Sequence, residues 1–337
     1  MTSPPPTVQT TRWLLDTRAL WPGDFTTAAT PYLTLLPPHT HPAITRKFHA
    51  VDKRMALGSA LLKHAFLTQH TGLPFPSIRF TRKPDPTHGK PAWLPPTGRE
   101  EEGKGVDFNV SHAGGIVVLV GAVVVGGEGG GKVQVATDII AGGSLAGFTE
   151  QFTSLLSEGE IWDATYKLPS LTLRSGEVVP GASLGRADRI IHVDESAVMK
   201  LPGGREVEVL GEDVVDAKLR RFWTFCALKE GYLKLGGEGL LAEWVTRCEF
   251  RGVKAPAPGT AESGGGWAFE GEEGDEEVEV SLDGVDQEDV RIEIQAFGEE
   301  FIITTLLRPA KALGGKGEFA PWKRVDLERD IMGIARG

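Results

Sequence analysis

Two long stretches of helical periodicity constrain this chain more than any other feature. Between 46 and 70, Phe48, Val51, Met55, Leu57, Leu61, Leu62, Ala65 and Phe66 recur near the spacing of an amphipathic helix. Thr71-Gly72 ends it, and Pro74 and Pro76 prevent its continuation. Between 217 and 235, Leu219, Phe222, Trp223, Cys226, Leu228, Tyr232, Leu233 and Leu235 repeat the pattern, and Gly236, Gly237 and Gly239 stop it. Helices this apolar must bury one face against another layer.

Strand-like runs follow each helix. After the first come 77–82, 106–110 and 116–125, the last apolar enough to be buried on both faces. A Gly-rich link at 126–131 then leads to 133–140, read as the returning strand of a hairpin. After the second helix come 278–280, 290–295 and 301–307. Residues 1–12 read as a loose tail with a first strand at 11–15, and 148–162 as a helix. The segment 165–212 reads as an insertion without sustained period, and 251–277 as an acidic, Gly-rich linker. The expected fold is α+β: two pseudo-symmetric halves, 1–140 and 141–337, each a small mixed or antiparallel sheet on a long helix, with the functional site between them.

Composition narrows the function classes. The net charge of -10 carries no basic excess of the kind nucleic-acid binders show, so no nucleic-acid partner is expected. A local basic pocket can still hold a phosphate in an acidic protein. Cys226 and Cys248 make neither a disulfide framework nor a zinc motif. The N-terminus lacks the charged start and apolar stretch of a signal peptide. The longest apolar run, 116–125, is shorter than the ~18–20 residues of a membrane helix. A soluble, cytoplasmic monomer with no membrane partner is the expectation.

Four short segments can carry chemistry. Gly89-Lys90-Pro91 offers a cation on a tight turn, or is an ordinary exposed turn. Ser111 and His112 close a strand before Gly114-Gly115, where free backbone N–H groups could hold an anion. Neighbours in a strand point to opposite faces, so the two do not form a nucleophile–base pair. Asp138 ends an apolar strand, where a carboxylate is costly unless paired or metal-bound; the alternative is a turn cap. Glu230 and Lys234 lie one turn apart on the second helix, which is apolar around most of its circumference, so their polar face meets either a cleft or solvent. A serine hydrolase built on Ser111 and His112 has no nucleophile-elbow motif to support it.

In this order and at these spacings, the four segments resemble the 4′-phosphopantetheinyl transferases of the larger, two-lobed type, most of all the fungal and animal members that serve several carrier proteins. The motif-bearing resemblance runs from about Arg46 to Leu240. It implies transfer of the phosphopantetheine arm of coenzyme A to a serine of apo acyl carrier proteins or peptidyl carrier domains. Mg²⁺ is the implied metal, held by Asp138 and Glu230, with Glu230 also the base and Lys234 beside the pyrophosphate. Lys90 is implied near the coenzyme A phosphates, and Ser111 and His112 at the nucleotide end. Arg46 and Arg82 stand where relatives place coenzyme A-binding arginines.

Three departures stand out. Ile140 occupies the place of a third acid found in bacterial relatives. Cys226 replaces an expected Trp, and Gly231 an Ala or Ser. Gly231 should loosen the helix by roughly 1 kcal/mol relative to Ala. The first two departures motivate an alternative: a non-catalytic relative that only binds coenzyme A or a carrier. Fatty-acid, polyketide, nonribosomal-peptide and lysine-pathway carriers all remain open as substrates.

Overall fold

A computed structural model describes residues 7–86, 89–126, 132–142, 154–173, 175–201, 203–239, 242–256, 278–313 and 318–336. All but the first residue of the expected link at 126–131, the start of the expected helix at 148–162 and most of the acidic linker lie outside them.

Two sheets and two long helices make four layers. The first sheet has the order β16-β1-β5-β4, from Trp322–Arg324, Thr7–Asp16, Ile116–Val125 and Val106–Ala113. It packs on helix α3, Ala50–Thr71, which follows α1 (Phe25–Leu33) and the short α2 (His41–Thr45). The second sheet is β14-β15-β6, from Arg291–Phe297, Phe301–Arg308 and Gln134–Ala141. It packs on a second long helix, Gly211–Gly236.

The remaining faces of the two sheets meet in a third core. Ile116, Val118 and Val120 of β5 face Val135, Ile139, Ile303 and Leu307 there, while Val117 and Leu119 join the core under α3. Strand β5 is therefore buried on both faces, as its unbroken apolar run requires.

The hairpin expected across 116–140 is not formed. Strand β6 pairs antiparallel with β15, Asp138 opposite Thr304, and not with β5. Asp138 therefore belongs to the second sheet. The chain's last residues also return to the first lobe: β16 runs parallel to β1. Phe48, counted toward the first helix's apolar face, is 90% exposed because the helix starts only at Ala50, and Val51, in its first turn, is 40% exposed.

The segment read as patternless folds around a core of its own. Strands β7 (Ser170–Thr172) and β8 (Val178–Pro180) form one hairpin, and β9 (Ser196–Lys200) and β10 (Glu206–Leu210) another. They enclose Leu171, Val179, Ile190, Met199 and Val209. Strands this short show no periodicity in sequence. Before them lies α5, Glu158–Tyr166; the earlier α4 is Glu100–Lys104, and the second long helix becomes α6. A small sheet of β11 (Cys248–Arg251), β12 (Glu279–Leu282) and β13 (Val285–Asp286) completes the second lobe, while β2 (Phe80–Lys83) and β3 (Lys90–Trp93) form a hairpin beside the first. Among the described residues, no helix is long and apolar enough to cross a membrane.

Candidate functional site at the seam of the two sheets

Strands β4 and β6 are edges of different sheets, and side chains do the joining. Residues 107, 109 and 111 alternate onto one face of β4, as the two-residue period of a strand dictates. Asp107 Oδ2 accepts from the Val135 N–H at 2.8 Å, and Asn109 Oδ1 from the Thr137 N–H at 3.1 Å. Ser111 Oγ donates to Asp138 Oδ1 at 2.7 Å. Lys90 Nζ pairs with Asp107 at 2.5 Å and also donates to the Val135 carbonyl at 3.1 Å. Buried backbone groups at a sheet edge need partners, and here Asp107 and Lys90 serve both polar groups of Val135.

At the end of this seam the polar groups converge. Asp138 is 2% exposed and points to the α6 side of its sheet, with Thr304 beside it. Lys234, near the end of α6, donates to Asp138 Oδ1 and, at 2.9 Å, to Ser111 Oγ. Glu230, one turn earlier, interacts electrostatically with both charges. Burial pushes its carboxyl up to about 7, the negative charge of Asp138 adds to that rise, and Lys234 opposes it. His112 stands exposed at the rim; partial desolvation, then the charge of Lys234, lower its pKa, with Lys47 and Asp52 also in electrostatic range.

The other expected residues stand apart from this group. Arg82 donates to the Gly89 carbonyl at 2.7 Å and pins the β2–β3 turn. Arg46 caps α2 and is exposed. Lys90 is committed to the seam. Gly114 and Gly115 form a two-residue hairpin turn with positive φ at both positions. The turn's N–H groups are not all open to an anion, since Gly115 N donates to Met55 Sδ at 3.3 Å.

Lys229 matters in a way the sequence pattern hid. It is 1% exposed and pairs at 2.9 Å with Glu160, itself 3% exposed. Glu160 closes a capping box with Ser157 at the start of α5 and accepts from the Phe250 N–H. Burial raises the Glu160 pKa against the pull of Lys229. This pair ties α5 and β11 to α6 and sets the rotation at which Glu230 leaves the helix. Thr304 also escaped prediction, because its place opposite Asp138 follows from long-range register. Asn109 was findable, since it shares a strand face with Ser111.

The donor set fits a hard divalent cation. Asp138 Oδ1 is taken by Ser111 and Lys234, whereas Oδ2 is buried without a hydrogen-bond partner. Mg²⁺ ordinarily takes one or two carboxylates and completes its shell with water and substrate phosphate. Asp138 and Glu230 offer that number. Among the described residues, no group of three or more His, Cys, Asp or Glu could hold a metal alone, so substrate oxygens would have to share the ion.

Comparison with known proteins agrees with the motif pattern. Residues 24–124 match the family described as 4′-phosphopantetheinyl transferase, N-terminal. A 4′-phosphopantetheinyl transferase of Aureobasidium melanogenum is 37% identical over 340 residues, spanning 96% of this chain and 97% of the relative. The 4′-phosphopantetheinyl transferase NpgA of Emericella nidulans is 33% identical, spanning 97% of this chain and 94% of its own. The 4′-phosphopantetheinyl transferase A of Aspergillus fumigatus is 30% identical over the same shares.

Proposed function

The chain belongs to the 4′-phosphopantetheinyl transferase family, and on that premise we propose that it moves phosphopantetheine from coenzyme A to a serine of apo acyl or peptidyl carriers, and that Asp138 and Glu230 are the residues that would hold Mg²⁺. The observation that carries this reading is the convergence of Asp138, Glu230, Lys234 and Ser111 at one end of the seam, with one carboxylate oxygen buried and unsatisfied.

The carrier serine hydroxyl attacks the β-phosphorus of coenzyme A. The bond from that phosphorus to the bridging oxygen breaks, and adenosine 3′,5′-bisphosphate leaves. Glu230 takes the serine proton directly or through a water. Lys234 neutralises charge developing on the transferred group, the main lever in phosphoryl transfer. Mg²⁺, when bound, would supply further charge neutralisation and orient the diphosphate. Ser111 holds Asp138 and Lys234 in place and is not the nucleophile. Arg46, Arg82 and His112 are the proposed contacts to the phosphates of the nucleotide, and Lys90 keeps the seam closed beneath them.

Incubation with coenzyme A, Mg²⁺ and a panel of unmodified carriers, read by intact mass, tests the reading. The expected result is one added arm per carrier domain. Glu230→Gln should slow transfer by about 10²-fold or more, the usual worth of a positioned acid–base group. Carrier binding without added mass would instead support the non-catalytic alternative.

A further inference from the structure

We propose that Gly231 and Thr304 act together as a spacing clamp that fixes how close α6 lies to Asp138, and so set the affinity of the carboxylate pair for its divalent ion. The inference rests on the metal reading given above. Gly231 is buried, and its backbone has no left-handed conformation that would demand glycine. Glycine in the middle of a helix is also a poorer choice than alanine. Its use here is clearance. A Cβ at 231 would stand 2.6 Å from Leu306 Cδ1 and 2.9 Å from Thr304 Oγ1. Both neighbours are fully buried, with no room to retreat.

The same threonine also holds the helix down. Thr304 Oγ1 donates to the Ala227 carbonyl at 3.1 Å, one turn before Gly231. It sits directly across the β6–β15 ladder from Asp138. One residue thus grips α6 and neighbours the first carboxylate. Gly231 is a point of close approach between helix and strand, flanked by Glu230 and followed by Lys234, which pairs with Asp138. A methyl group at 231 must lift α6 or tilt it, and Glu230 and Lys234 move with it.

The test is Mn²⁺ binding in the presence of coenzyme A, read from the loss of the free-ion electron paramagnetic resonance signal. Groups that orient metal ligands commonly change affinity by about 10–100-fold, and Gly231→Ala should weaken Mn²⁺ within that range. Adding Leu306→Val, which removes the closest colliding atom and leaves Thr304 Oγ1 in place, should recover part of the loss. Should Gly231→Ala fail to fold, Thr304→Val keeps the volume and removes only the bond to Ala227. It should weaken Mn²⁺ binding while the melting temperature holds. Wild-type affinity in Gly231→Ala or in Thr304→Val, or a double variant as weak as the single one, would overturn the clamp. A wild-type protein that binds no Mn²⁺ would sink the metal reading itself.

Discussion

Burial and a neighbouring carboxylate hold Glu230 up to about 7, so the folded, metal-free protein keeps a proton that the unfolded chain releases above an ordinary value of 4.5. The sign follows from linkage. A group whose folded pKa is raised adds stability that is full below the unfolded pKa and is lost as pH rises through the folded one. Urea midpoints of the metal-free protein should therefore fall between about pH 4.5 and 7, and Glu230→Gln should flatten that part of the profile. An unchanged slope in the variant would place the titration elsewhere. At this scale much was legible in sequence. Asp138, Glu230 and Lys234 stood out because charge on an apolar element requires a partner. The role of Ser111 was not readable, since its bond to Asp138 crosses between two sheets. Gly231 read as a helix defect until the strand beneath it was visible.

Helix α6 is aimed by its neighbours. Lys229 and Glu230 are adjacent, so one points into the core while the other reaches the seam. The pair of Lys229 with Glu160 is nearly solvent-free, and such a pair holds geometry more than it adds stability. Removing one partner leaves a buried charge and typically costs about 3–5 kcal/mol. Glu160→Ala should lower stability by that order in denaturant titrations. The joint change Glu160→Leu with Lys229→Met should cost far less than the single one, and equal costs would show that the charges are not coupled. Both long helices and β5 were legible because their patterns run for several turns or a full strand. The short hairpins of 165–212 were not, since three to five residues cannot establish a period.

The molecule closes on itself through its last residues, and no local pattern could have said so, because β16 and its partner β1 lie at opposite ends of the chain. The tail pairs Trp322 with Arg12 and Leu14 with Arg324, and it sends Val325, Leu327 and Ile331 into the core under α3. Phe319 and Trp322 enter the core between the sheets. Arg12 meets both of these rings and pairs with Glu293 of the second sheet at 2.7 Å. Each fully buried apolar side chain contributes about 1.5–3 kcal/mol. Five of them together are on the order of the 5–15 kcal/mol that holds a whole protein folded. Deleting residues 318–337 should therefore leave no cooperative transition, whereas the full chain should melt in a single calorimetric step despite its two lobes. Two resolved transitions in the full chain, or a truncated protein that melts near wild type, would mean that the lobes stand independently. The reason to expect one step is the same that puts the carboxylates where they are: the first sheet is finished by the tail of the second lobe, and the second sheet's edge is satisfied by side chains of the first, so neither can lose its fold and leave the seam intact.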